Sequence, residues 1–394
     1  MRFFSAPKQE EQLIAMFGIG SGSVGGALVK FTQDRKGEWH PHIIEQARTP
    51  ISFQREVDFD TFFKDMITAL TATAQKIYDA KKGAPSRIFC TLASPWYVSE
   101  TRLIHLEKQA PFTFTQKMMD EMISTELKNI NEKYQKRYGN LNVAPRLIES
   151  KILHNTLNGY KIQNPIGKKA KTLDMNLFVS VSPKICTDKI EESLKKVFHN
   201  TPVSYSSFIL SLFLVARDRY ISADSFLVID INGEVSDIGI VENDILTSTI
   251  SLPLGKNHII RKIAETLNKS ESDARTMFSM MIANTLEKSV GEKLAPILLS
   301  VKEEWSALFR NAIFSLPKTT VLPNLIFLVS DTDVASWFGA ILKEEEYNKY
   351  KAVNKNFTVI TIDGPQLIDL CKIDDGDCDQ FLMVEAIALA KMLS

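Results

Sequence analysis

Apolar positions along the chain fall into two rhythms, short runs and helical stripes. From Leu13 the run LIAMFGI is nearly unbroken, the turn GSGSVGG follows, and ALVKF resumes apolar character to Phe31. Short apolar runs on either side of a glycine-rich turn predict a pair of strands. HIIEQARTPI predicts a further strand. FDTFFKDMITALTATAQKIYDA then sets Phe62, Phe63, Met66, Ile67, Leu70 and Ala74 at helical spacing, and SRIFCTLAS predicts the next strand. Phe226 to Ile250 repeats the strand–turn–strand plan, at a separation of roughly two hundred residues that suggests internal duplication. After it come helical patterns in NHIIRKIAETL, MFSMMIANTLEKSV and LLSVKEEWSALFRNAI, a strand in LIFLVS and a helix in VASWFGAIL. Sheets flanked by helices are the expectation for both halves, an α/β architecture.

Between Glu107 and Asn200 the rhythm changes. TQKMMDEMISTELKNINEKYQKRY predicts a charged amphipathic helix, RLIESKILHNTL and NGYKIQ a hairpin about Asn158-Gly159, DMNLFVSVS a strand, and TDKIEESLKKVF a second helix. The expected organisation is residues 1–106 with 201–222 as a first lobe, 107–200 as an inserted small α+β subdomain, and 223–394 as a second lobe. FLMVEAIALAKMLS is expected to be the last core helix, with Leu382, Val384, Ile387, Leu389 and Leu393 against the second sheet.

Composition narrows the class of partner. The 394 residues are 44% apolar, and Lys plus Arg balance Asp plus Glu at 47 each. Zero net charge supplies no global field for nucleic acid or an anionic membrane, so a partner must be recognised locally. Lys128, Lys133, Lys136 and Arg137 on the charged helix offer a basic face to an acidic partner. Four scattered cysteines read as reduced thiols, and the six histidines show no metal spacing. Charges at Lys8, Glu10 and Glu11 argue against a signal peptide, and no apolar run has the length of a spanning helix. A cytoplasmic protein is expected, touching the inner membrane only through a partner.

The candidate chemistry lies in the two turns. VIDINGEVSDIGIVENDIL, from Val228 to Leu246, ends an apolar strand on Asp230 and turns through Asn232, Gly233 and Glu234. Two such turns facing each other across a cleft can offer backbone N–H groups to a polyphosphate. An acid beside them suits Mg²⁺, which takes carboxylate, water and phosphate oxygens. The candidate nucleotide-binding residues are Gly20, Ser21, Gly22, Ser23, Asp230, Asn232, Gly233, Glu234, Ser236, Gly255, Lys256 and Ser330, with Asp230 and Asp237 as candidate magnesium ligands. Ser21 and Ser23 lack the G-x-S-x-G setting of a hydrolase nucleophile.

GIGSGSVGGALV and DINGEVSDIGIVEND resemble the first and second phosphate hairpins of the actin-like ATPase superfamily. SLPLGKNHIIRKIAETLNKSESDA resembles the helix that follows in its FtsA and PilM branch, and NGYKIQNPIGKKAKTLDMNLFVSVSP resembles the FtsA insert. The resemblance spans almost the full chain. It implies a two-lobed, ribonuclease-H-like fold with an inserted subdomain, ATP with Mg²⁺ between the lobes, self-association, and protein partners of the division or pilus machinery. Four positions depart from the family pattern. Gly18 stands where the family has an Asp, Ser330-Asp331-Thr332-Asp333 replaces a run of glycines, Ala274-Arg275-Thr276 replaces a Glu and Lys near the ribose, and Lys256 replaces a glycine. These departures point to weak or lost ATPase activity. The expected function is an FtsA-like scaffold of cell division. The alternatives are a PilM-like pilus adaptor holding a cytoplasmic peptide, favoured where the membrane-binding tail of FtsA is missing after Ser394, and an active ATPase or kinase.

Overall fold

The computed structural model describes residues 10–138, 144–316, 322–344, 356–374, 376–377 and 379–393. Its first sheet has the order β15-β3-β2-β1-β4-β9. β1 (Glu11–Ile19), β2 (Ser23–Gln33) and β3 (Trp39–Pro50) form an antiparallel meander. β4 (Arg87–Leu92), β9 (Val203–Ser207) and the short β15 (Lys372–Ile373) add in parallel. The second sheet repeats this plan in the order β12-β11-β10-β13-β14. Its meander is β10 (Phe226–Ile231), β11 (Ser236–Glu242) and β12 (Ile245–Leu252), and its parallel strands are β13 (Leu325–Ser330) and β14 (Thr358–Thr361).

Helices cover both faces of the first sheet. Glycines at adjacent positions of β2 show how closely: a Cβ on Gly26 would press on Thr73 and Ile77 of α1 (Phe59–Asp79), and one on Gly25 would meet Arg48 and Leu382. Successive strand residues point to opposite faces, so α1, with α3 (Lys184–Phe198) beside it, and α10 (Gln380–Leu393) lie on opposite sides. α10 therefore packs on β1, β2 and β3 and on α4 (Phe208–Arg219). This corrects the expectation that it covers the second sheet. The reason is its burial on every side, from Gln380 to Ala390, which only a slot between β1–β3 and α4 supplies. α4 joins the lobes, because one core continues through Ile209 and Phe213 to Val228, Phe327 and Val329.

The second lobe is completed by α5 (Lys256–Leu267), α6 (Glu271–Ile282), α7 (Lys288–Phe314), α8 (Thr332–Leu342) and the single turn α9 (Gly364–Leu367). The continuous helix expected through MFSMMIANTLEKSV is broken after Ile282, where Asn284 adopts a left-handed φ of 54°. Asparagine tolerates that conformation and ends helices with it.

A third, antiparallel sheet has the order β5-β8-β6-β7, from β5 (Val98–Thr113), β6 (Pro145–Leu157), β7 (Tyr160–Lys161) and β8 (Lys169–Pro183), with α2 (Gln116–Tyr138) against it. Ile130 and Tyr134 of α2 bury against Leu177, Val179 and Val181. The Asn158-Gly159 turn has positive φ at both residues, 51° and 82°, as a primed hairpin turn demands. β5 runs continuously through residues 106 and 107, so the boundary expected there falls inside a strand. Among the described residues no helix is long and apolar enough to cross a membrane.

Candidate functional site

The two glycine turns meet, and they bond directly to each other. Each is closed by its own hairpin bond, Gly20 N–H to the Ser23 carbonyl at 3.1 Å and Asn232 N–H to the Val235 carbonyl at 3.0 Å. Asn232 then reaches across. Its Oδ1 accepts the backbone N–H groups of Ser21 at 3.0 Å, Gly22 at 3.0 Å and its neighbour Gly233 at 2.8 Å. In return Glu234 donates its N–H to Ser21 Oγ at 2.9 Å. Glycine is required by proximity here: a Cβ on Gly22 would lie 3.0 Å from Gly233 Cα, and one on Gly233 would overlap Gly22. Behind the second turn, the first N–H groups of α5 are also taken, Lys256 by the Asn232 carbonyl at 2.9 Å and Asn257 by the Gly233 carbonyl at 2.8 Å. Gly255 is the residue that lets α5 approach so closely, since a Cβ there would overlap the Asn232 carbonyl.

The candidate acids divide. Asp230 and Asp237 are register partners on β10 and β11, and both are buried. Asp230 Oδ1 has no hydrogen-bond partner among the described residues, and burial, reinforced by Asp237 and Asp331, pushes its carboxyl well above the usual range. Asp237 is fully engaged elsewhere, accepting from Ser251 Oγ at 2.5 Å, Ser94 Oγ at 2.8 Å and Ser94 N–H at 3.3 Å. It ties the loop after β4 to β12. Ser236 donates to the Leu254 carbonyl at 2.6 Å and accepts from the Trp305 indole at 3.2 Å, so its hydroxyl is committed inside the second lobe. Lys256 pairs closely with Asp331, and the Ser330 carbonyl accepts from Gln380 Nε2 at 2.8 Å. Ser23 Oγ accepts from Arg48, whose guanidinium forks onto Asp379 at 2.7 and 2.8 Å.

Gly18 carries no carboxylate, yet a carboxylate stands beside it. Glu385 projects from α10 into the space that a side chain at Gly18 would occupy. Its carboxyl is buried, and burial pushes it well up; Oε2 lacks a partner among the described residues. The cavity enclosed by Gly18, Gly20, Ser23, Asn232, Asp331 and Glu385 measures about 20 Å³, room for a single water. Arg48, Asp379 and Glu385 are site residues that sequence reasoning did not find. A lone acid inside the fully apolar run of α10 was the available signal for Glu385.

A second concave feature lies on the other side of Trp96. An apolar groove of about 410 Å³ runs between α1, the Pro95-Trp96-Tyr97 segment, β8 and the start of α3. Phe59 and Ile185 on its rim are 59% and 62% exposed, far more than large apolar side chains in a closed core. Trp96 forms its floor, stacked on Phe62 with ring centroids 5.1 Å apart. Tyr97, Val98 and Tyr134 also line an adjoining polar cavity of about 270 Å³ that ends at Asp237 and Ser251.

The sequence matches no protein-family model and no curated protein. Among solved structures the chain is similar to one from a PilM–PilN type IV pilus biogenesis complex, with a TM-score of 0.56 and 15% identity over 96% of each chain. It is more distantly similar to the ethanolamine utilization protein EutJ from Carboxydothermus hydrogenoformans, at TM-score 0.45 and 11% identity over 100% of this chain and 92% of that one. MreB 5 of Spiroplasma citri bound to AMPPNP gives 0.43 and 9% over 96% and 95%. The fold is the two-lobed actin-like one, with the small α+β sheet joined to it.

Proposed function

We propose that this chain, built on the fold it shares with PilM, is a cytoplasmic adaptor that holds a short apolar peptide of an inner-membrane protein in the Phe59–Ile185 groove. The observation that carries the reading is the groove itself. Phe59, Phe63, Trp96, Val98, Val181 and Ile185 line it, and among the described residues Asp60 is its sole ionisable side chain apart from the phenols of Tyr97 and Tyr134 and the Cys186 thiol. Concave apolar surface rimmed by exposed aromatic and aliphatic residues marks a binding site in a soluble domain. The similar structure contains PilM with PilN, which supports a protein occupant of the pilus kind. The proposed units are a first lobe, a second lobe from residue 223 and an inserted subdomain between them, with the insert running from β5 (Val98–Thr113) to β8 (Lys169–Pro183) instead of from 107 to 200, since α3 packs with α1 on the first sheet. The groove lies where the first lobe and the insert meet. Membrane contact is then indirect, through the partner. The readings as a division scaffold that self-assembles through the insert and as a working ATPase rest on the sequence resemblance, with no described surface of comparable definition.

The test places p-benzoylphenylalanine at position 59 in cells. Crosslinks mapped to the cytoplasmic segment of a single-span inner-membrane protein, and lost when Ile185→Asp is added, are expected. Crosslinks solely to further copies of this chain, or crosslinks that persist in the Ile185→Asp protein, would overturn the adaptor reading.

A further inference from the structure

The resemblance calls for a nucleotide between the turns, and the residues present do not fit one. We infer that Asn232 holds the place of a bound oxyanion, so that the two turns close on the chain's own carboxamide. Successive backbone N–H groups converging on one oxygen make the concavity in which an anion is ordinarily held. In this chain that oxygen is Asn232 Oδ1, at 3.0 Å from both Ser21 N and Gly22 N and 2.8 Å from Gly233 N. The Ser21 hydroxyl, a fourth group able to reach an anion, lies 3.4 Å from the same oxygen and accepts the Glu234 N–H. The α5 N-terminus, a further source of free amides, is spent on the carbonyls of Asn232 and Gly233. With Gly22 against Gly233 and about 20 Å³ left in the cavity, the cleft is filled by its own walls.

A second clamp acts further along the cleft. Phe53, in the segment after β3, lies beneath the guanidinium groups of Arg261 and Arg275, 5.6 and 5.7 Å from its ring. Arg261 also donates to the Gln54 carbonyl at 3.0 Å and pairs closely with Glu234. Arg275 adds its guanidinium to the Phe53 ring, while its N–H groups are taken inside the second lobe by Glu271 Oε1 at 2.8 Å and Asn257 Oδ1 at 3.2 Å. Both bridges cross from one lobe to the other. Closure of the lobes is thus constitutive, where a bound polyphosphate would otherwise supply the acceptor oxygen.

This inference goes beyond the groove and is independent of it. Its test is binding of a fluorescent ATP analogue with Mg²⁺, and of inorganic pyrophosphate by calorimetry, to the wild type and to Asn232→Gly and Asn232→Asp. The wild type is expected to bind neither at millimolar concentration. Asn232→Gly frees the three amides and is expected to bind at least roughly tenfold tighter. Asn232→Asp keeps an acceptor oxygen and adds charge, so it is expected to remain closed to anions. If the Gly protein fails to fold by circular dichroism, Asn232→Ser, whose shorter side chain withdraws the acceptor, takes its place. Magnesium-dependent binding by the wild type, or equal affinity in all variants, would overturn the inference.

Discussion

The indole N–H of Trp96 donates to the carbonyl of Gly20 at 2.7 Å, so the residue that floors the apolar groove also braces the first glycine turn. Its ring lies on Phe62 and its polar edge reaches the hairpin. An occupant that shifts the ring therefore acts on the turn through one bond. Trp96→Phe keeps the aromatic floor and removes the donor. It is expected to lower stability by about 1 kcal/mol, the usual worth of one buried hydrogen bond, read as a drop in denaturation midpoint. Trp96→Ala, which empties the floor, is expected to cost about 3–5 kcal/mol.

Glu149 of β6 reaches into the first lobe, accepting from Ser206 Oγ at 2.6 Å and from Ser207 Oγ and N–H at 3.0 and 3.2 Å. Burial raises its carboxyl from the usual 4.5 to about 7 against those hydrogen bonds. The folded state keeps this proton to higher pH than the unfolded chain does, so the contribution of Glu149 to stability is fully present at low pH and is lost as pH rises through the window from about 4.5 to 7. Asp230, Asp237 and Glu385, all raised, act with the same sign. Glu149→Gln is expected to reduce the stability difference between pH 4.5 and 7 by about 1–3 kcal/mol, compared by urea unfolding at the two values. An unchanged difference would show that Glu149 titrates as in the unfolded chain.

Gly18 and Glu385 compete for one space. Gly18→Ala is expected to destabilise by about 1–3 kcal/mol through overpacking. Glu385→Ala in the same chain vacates the space, so the double variant should lose less than the two single losses added. The coupling energy from a double-mutant cycle by chemical denaturation checks this.

Asp237 is the hub of a hydroxyl seam between the lobes. Ser94 bonds to it and lies 3.1 Å from Ser251, while Ser99 meets Thr249 at 3.0 Å and Thr101 donates to the Leu246 carbonyl at 2.6 Å. Asp237→Ala leaves the buried Ser94 hydroxyl and the exposed Ser251 hydroxyl without this acceptor and is expected to cost about 1–3 kcal/mol. Limited proteolysis should then cut the segment around Ser94 faster than in the wild type.

The two hairpins, their common plan and the Asn158-Gly159 turn were legible because apolar runs and turn residues are local signals. α4 was not. FILSLFLVAR is apolar on all faces, and a helix buried all round shows no period to read. Asn232 was legible as a turn residue, but its bonds reach a turn 211 and 210 residues earlier, and nothing local announces such a partner. The same holds for Arg48, whose partner Asp379 is 331 residues away. Departures from the family pattern at Gly18 and Lys256 were visible in the sequence, whereas the groups that meet them, Glu385 and Asp331, needed the fold.

The seat of α10 on the first sheet sets an order on synthesis. Strands β1 to β3 leave the ribosome early, but their α10 face, and the β15 strand that pairs with β3, arrive only after residue 371. The small β5–β8 sheet needs nothing beyond Pro183 for its own strand pairing and can form while the first lobe is still open. Nascent chains must therefore carry an uncovered apolar sheet until α10 is made, the state in which chaperones engage a polypeptide.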